Sequence, residues 1–180
     1  MFNRLAFAAL GFLALLTPGA AQDLPVKKGP TVTMASTPIA TVTQGKSKPV
    51  ELQFRVESGF HINSNQPTEK YLIPTAVTLD PPTDIVVGQT TYPPGKESAF
   101  AFAPDEKLSV YTGDFAVTVQ VRAMTSVLPG KYEIRGKLKY QACDNAQCYP
   151  PKSLPIQFEV KVVKPPAAPR KNPGQSPHER

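Results

Sequence analysis

Cys143 and Cys148 are the two cysteines of a 180-residue chain, separated by Asp144-Asn145-Ala146-Gln147. Two thiols this close can clip a hairpin, exchange electrons with other disulfides, or help to hold a metal. Structural zinc normally takes four ligands, and the chain adds only His61 and His178 to the pair, so a metal site is not expected. A cysteine hydrolase needs a histidine base within reach, and His61 is the one candidate outside the C-terminal tail. What remains is a choice between a structural clip and a redox couple.

The N-terminus places the pair in an oxidising compartment. Arg4 precedes an apolar run of 12 residues, Leu5 to Leu16, and Thr17-Pro18-Gly19-Ala20-Ala21 then supplies a break and small residues. This is the pattern of a secretory signal over residues 1–21, cleaved before Gln22. The run is short for a membrane helix, and no later segment reaches the length of a span. The expected product is an exported, periplasmic, soluble protein that does not span the membrane. The formal net charge of the whole chain is +6, falling to +5 once Arg4 leaves with the signal, and the basic residues are scattered apart from Lys161, Lys164, Arg170 and Lys171. Nucleic-acid binding needs a denser patch and is not expected.

Twenty-one prolines and no tryptophan argue against long helices, because proline removes a backbone donor and clashes in a helix interior. Period-two alternation marks strands instead. Val50 to Val56 puts Val50, Leu52, Phe54 and Val56 on one face; Phe115 to Val121 and Ile156 to Val162 do the same. Lys131 to Tyr140 also alternates, with Gly136 as an expected bulge. Weaker strands are expected at 31–34, 39–43, 73–79 and 85–89. With turn signals such as Gln44-Gly45, Asp80-Pro81-Pro82 and Pro129-Gly130 between them, these segments predict an all-β fold, an immunoglobulin-like antiparallel β sandwich over residues 22–164. The stretch Thr91 to Glu106 reads as one long irregular loop. Residues 165–180 read as a disordered, proline-rich basic tail.

If Cys143 ends one strand and Cys148 starts the next, the four residues between them make a hairpin loop. The cysteines then oppose each other with Cβ atoms about 4.5–5.5 Å apart, wider than the roughly 3.8 Å of an ordinary disulfide. Such a bond is drawn tight, and strained or exposed disulfides are the readily reduced ones. So small a ring also constrains the unfolded chain little. Asp144 opposes a thiolate, whereas Lys139 and Lys152 favour one. Spacing alone leaves clip and redox couple both open.

The stretch Tyr140-Gln141-Ala142-Cys143, a short polar loop, then Cys148-Tyr149-Pro150-Pro151 resembles the active hairpin of the N-terminal periplasmic domain of thiol:disulfide interchange protein DsbD. Ser58-Gly59-Phe60-His61-Ile62-Asn63-Ser64-Asn65-Gln66-Pro67 and Val110-Tyr111-Thr112-Gly113-Asp114 fit the same family, and the resemblance covers roughly Thr31 to Val163. It implies an immunoglobulin-like sandwich that takes electrons from a thioredoxin-like donor and passes them to periplasmic disulfide-bearing acceptors. Disulfide isomerases and cytochrome-maturation factors are the acceptor classes it brings into view. It makes Cys148 the cysteine that forms mixed disulfides and Cys143 its resolving partner, with no cofactor. It also implies a cap loop whose aromatic shields the cysteines; the matching loop here is Thr91 to Glu106, with Phe100 or Phe102 as shield and Tyr92 as a further candidate. His61 falls where the family has an aromatic near the site; a histidine there can tune a thiol, but a solvent-facing or hydrogen-bonded strand residue is the expectation. Tyr140, Asp144, Tyr149 and Pro150 are the other expected neighbours of the pair.

The cysteine loop is one residue shorter than in the best-known members. The chain carries no membrane domain, no thioredoxin-like domain and no Cys-X-X-Cys, so a redox-active pair is expected to draw electrons from separate proteins. The alternative is a non-catalytic binding or interaction domain with a permanent structural disulfide.

Overall fold

The computed structural model of the chain describes residues 32–167. The signal segment 1–21 and residues 168–180 of the tail lie outside the described residues. Within them the chain forms strands and no helix: β1 (Val32–Met34), β2 (Ala40–Thr43), β3 (Ser47–Val56), β4 (His61–Asn63), β5 (Ala76–Asp80), β6 (Ile85–Thr91), β7 (Lys96–Phe100), β8 (Ala103–Tyr111), β9 (Asp114–Ala123), β10 (Gly130–Tyr140), β11 (Ala142–Cys143) and β12 (Lys152–Val163).

The alternating segments are the centre of an immunoglobulin-like sandwich. One sheet runs β1-β3-β9-β6 and the facing one β2-β12-β10-β5. Leu52, Phe54, Val117, Val119 and Val121 from the first meet Ile134, Leu138, Ile156 and Val160 from the second in one buried core. Each such side chain contributes about 1.5–3 kcal/mol on full burial. Pairings are antiparallel with one exception: β2 lies parallel to β12, from Ala40↔Val160 to Thr43↔Val163.

Gly136 is not a bulge. It sits in unbroken register between Ile156 and Leu79. A Cβ there would lie 2.2 Å from the Thr78 carbonyl oxygen and 2.7 Å from Leu79 Cδ2. Glycine is needed because β5 packs directly over the position.

A third, smaller sheet, β11-β4-β8-β7, carries the cysteines. The chain leaves β10 at Tyr140, turns at Gln141 and enters this sheet as β11. The short strand β4 is anchored by polar groups rather than by alternation. Thr75 Oγ1 donates to the Asn63 carbonyl at 2.5 Å, Asn63 Nδ2 donates to the Ile73 carbonyl at 3.0 Å, and the Ser64 and Ser109 hydroxyls share a hydrogen bond at 2.8 Å. Asn63, Ser64 and Thr75 are all buried, and these bonds satisfy their polar groups, as burial demands, with the exception of Asn63 Oδ1.

The expected irregular loop at Thr91 to Glu106 is mostly strand. β7 and β8 pair from Lys96↔Val110 to Ala99↔Lys107 and close in a tight turn at Ala101 and Phe102. Polar residues dominate both strands; Leu108 and Val110 of β8 and Phe100 of β7 pack with Leu72 in a small satellite core. That composition hides the hairpin from a search for alternating apolar residues.

Candidate functional site

Cys143 and Cys148 form a disulfide with Cα atoms 3.9 Å apart. The rungs on either side are the Asp144 N–H to the Gln147 carbonyl, 2.9 Å, and the Tyr149 N–H to the Ala142 carbonyl, 2.8 Å. The cysteines therefore occupy the non-hydrogen-bonded position between them, where antiparallel strands come closest. Cys148 makes an isolated bridge rather than starting a strand; β12 begins only at Lys152. The two sulfur-bearing residues differ in access: Cys143 is fully buried and Cys148 is exposed.

Asp144 organises the loop. Its Oδ1 accepts from the Ala146 and Gln147 N–H groups at 2.7 and 2.8 Å, and its Oδ2 accepts from the Tyr149 hydroxyl at 2.7 Å. This is a side chain standing in for a turn's backbone acceptor. Tyr149 in turn meets Phe60 edge-on, with ring centroids 6.0 Å apart. Gln141 Nε2 donates to the Tyr149 carbonyl at 3.2 Å, tying the two sides of the hairpin. Pro150 is exposed beside it.

His61 lies directly opposite Cys143 on β4, so the two side chains share a face of the sheet with Cβ atoms about 5 Å apart. It is neither solvent-facing nor hydrogen-bonded through Nε2, contrary to the sequence expectation: the residue is buried and its Nε2 has no partner. The reason is the β7–β8 turn, which folds over it. Phe100 stacks on the imidazole at 3.8 Å between centroids, Phe102 lies 6.3 Å from it in a parallel plane, and the two phenylalanines are 5.6 Å apart. The Ala101 N–H reaches Asn145 Oδ1 at 3.4 Å, joining the turn to the cysteine loop. Phe102 also shares an open groove of about 360 Å³ with Cys148, Tyr71, Leu72, Gln141 and Gln147.

Two expected neighbours turn away from the pair. Tyr92 is packed against the main core, and its hydroxyl accepts the Val77 N–H at 2.8 Å. Tyr140 is buried in the same core, its hydroxyl accepting the Val32 N–H at 3.4 Å. For Tyr140 this follows from strand geometry, since consecutive side chains point to opposite faces; Tyr92 lies just beyond the end of β6. Phe60, Tyr71, Asn145 and Gln147 join the site without having been singled out. Phe60, Asn145 and Gln147 lay inside the quoted motifs; Tyr71 reaches it across the third sheet, which no local pattern signals.

The family described as thiol:disulfide interchange protein DsbD, N-terminal, matches residues 31–159. The chain belongs to this family. Among solved structures, it is similar to the reduced DsbD N-terminal domain of Neisseria meningitidis, at 20% identity over 62% of this chain and 80% of that one, with a TM-score of 0.40. A complex of the DsbD N-terminal and PilB N-terminal domains from the same organism matches at 19% identity over 77% and 88%, TM-score 0.41. A type I cohesin from Pseudobacteroides cellulosolvens matches at 11% identity over 78% and 96%, TM-score 0.46. No curated protein sequence matches the chain.

In this DsbD N-terminal-like domain, burial lowers the His61 pKa from 6.5 to about 4, against a smaller opposing pull from the Asp144 carboxylate. The unfolded chain takes up this proton near 6.5 and the folded one near 4. Between those values the unfolded state binds more protons, so stability rises with pH there. The contribution is complete above about pH 6.5 and is lost as pH falls toward 4, by up to about 3 kcal/mol. Urea unfolding near pH 7 and near pH 4.5 checks this. The wild-type midpoint is expected to fall between the two, and the fall is expected to shrink in His61→Phe. Equal falls in both proteins would assign the pH dependence to other groups.

Proposed function

We propose that the chain is an exported thiol–disulfide exchange module that relays electrons through the Cys143/Cys148 pair to periplasmic partners. The observation that carries this reading is the unequal access of the two cysteines. Exchange proceeds by thiolate attack through a mixed disulfide; one sulfur must meet the partner and the other must wait beside it. Cys148 is placed for the first role and Cys143 for the second. Family membership supports the same assignment. The partners are a thioredoxin-like donor and acceptors carrying their own disulfides. The signal segment at residues 1–21 supports a periplasmic location, and among the described residues no helix is long and apolar enough to cross a membrane.

The β7–β8 turn acts as the shield. Its two phenylalanines limit the approach of small thiols, and a docking partner displaces them. Replacing Phe100 with alanine removes the stack on His61, an aromatic contact of about 0.5–1.5 kcal/mol. Reduction of the disulfide by dithiothreitol is therefore expected to accelerate about two- to tenfold. An unchanged rate would mean that the turn does not guard the bond.

The direct test is the reduction potential of the pair, measured by equilibration in thiol redox buffers with free thiols counted. A value well above about −300 mV places the bond among exchangeable disulfides. A value below that returns the chain to a binding domain with a permanent clip.

A further inference from the structure

The resolving step poses a problem that the first step does not. Cys148 is exposed and its sulfur meets water directly. Cys143 is fully buried. Burial in apolar surroundings holds a thiol in its protonated, unreactive form. Yet Cys143 must attack as a thiolate once Cys148 is bound to a partner.

We propose that His61 is the proton acceptor for Cys143 in the resolving step, a role that rests on the exchange reading above. Three observations converge. His61 and Cys143 are a directly opposed pair on adjacent strands, with side chains on the same face. His61 Nε2 is buried with no hydrogen-bond partner while both sulfurs are tied up in the disulfide. Buried polar atoms in native structures are nearly always paired, and an orphan calls for a redox, catalytic or strain explanation. Thr37 Oγ1 and Asn63 Oδ1 are the other such atoms among the described residues, but of the three only His61 opposes a cysteine, and on this proposal its partner is the proton that Cys143 carries in the reduced protein. Third, His61 is buried with Phe100 stacked on one face of its ring, and Nε2 itself is out of reach of solvent.

The chemistry balances without any further reagent. Reduced Cys148, as thiolate, attacks one sulfur of the acceptor's disulfide. A Cys148–acceptor bond forms, and the acceptor's other sulfur leaves as a thiolate and takes up a proton. Cys143 then passes its proton to His61 Nε2 and attacks Cys148 Sγ. The Cys143–Cys148 bond forms, the acceptor's second sulfur leaves, and His61 returns the proton to it. The domain's dithiol is oxidised by two electrons and the acceptor's disulfide is reduced by two.

The His61 pKa of about 4 belongs to the disulfide form, in which burial holds the ring neutral; a thiolate forming at Cys143, directly opposite, supplies a negative charge that raises it and favours the imidazolium during the transfer. The β7–β8 turn presents the Phe100 and Phe102 rings, which do not titrate. From the cysteine loop, the Asp144 carboxylate favours the imidazolium as it forms. Arg55 and Glu57 line the same cavity as His61, and Arg55 is ion-paired with Asp114. β11 contributes Cys143 itself.

The test uses the reduced chain and 4,4′-dithiodipyridine as the acceptor, followed by stopped-flow absorbance. The first thiopyridone released reports attack by Cys148 and the second reports resolution by Cys143. In His61→Phe, which keeps an aromatic ring under Phe100, the second phase is expected to slow about 100-fold near neutral pH, with the first phase unchanged. Its rate should then climb about tenfold per pH unit between about pH 5 and about 8 as solvent base takes over, whereas the wild-type rate stays flatter. His61→Gln, polar but unable to accept a proton, should show the same defect. Second phases equal in rate and pH profile across the three proteins would overturn the role of His61 alone. If the reduced wild-type chain releases no thiopyridone, the exchange reading itself falls, and this role with it.

Discussion

Cys148→Ser is expected to abolish thiol–disulfide exchange completely, while Cys143→Ser is expected to turn the domain into a trap. The difference arises from access. Without Cys148, the remaining thiol belongs to Cys143, fully buried beside His61 and under the β7–β8 turn. Without Cys143, the exposed Cys148 still forms a mixed disulfide but nothing resolves it. Both variants should stay folded. The bond closes a ring of only six residues, for which loop entropy predicts about 2 kcal/mol. Non-reducing electrophoresis and intact mass measurement after mixing with a disulfide-bearing thioredoxin-like protein provide the check. Stable adducts from Cys143→Ser and none from Cys148→Ser are the expected pattern. The reverse pattern would exchange the roles of the two cysteines, and adducts from neither would leave a structural clip.

The largest expected loss of stability comes from the main core, not from the redox site. Phe54 is among the largest fully buried side chains, stacked on Phe115 at 5.3 Å; Phe115 stacks in turn on Tyr111 at 4.8 Å. Phe54→Ala removes one ring of this three-ring stack and leaves a cavity between the sheets. Truncations of this kind cost about 3–5 kcal/mol, which for a domain this size lowers Tm by about 10–20 °C. Thermal unfolding followed by near-ultraviolet circular dichroism measures it. A shift of only a degree or two would show that neighbouring side chains refill the space.

Those core strands were legible because one periodicity decided them. In β3, β9 and β12, apolar residues recur at every second position, and each of those segments became a long strand. The cysteine hairpin was legible for another reason: few residue types other than cysteine carry this chemistry, and the flanking residues resemble one family. What the sequence hid were the parts held by something other than alternation. Strand β4 is buried along its whole length and fixed by Thr75 on Asn63 and by Ser109 on the adjoining Ser64, partners 12 and 45 residues away. The β7–β8 hairpin has mostly polar residues, and its two phenylalanines bracket the turn rather than alternating along a strand. The burial of His61 depends on that hairpin closing over it. Gly136 looked like an interruption because the sequence does not show that β5 would lie against it. Tyr140 stood beside the cysteines in sequence and Tyr92 on the expected cap loop, yet both face the core, which only the tertiary packing shows.

The parallel ladder between β2 and β12 gives the domain a mechanical character. Ala40–Thr43 and Val160–Val163 are the paired segments, one near each end of the described chain. A pull on the two ends draws such strands past one another along their length. The ladder is then loaded in shear, with its hydrogen bonds resisting together rather than opening one by one like a zipper. A domain pulled from its two ends while a partner is covalently held at Cys148 would yield last where β2 and β12 meet.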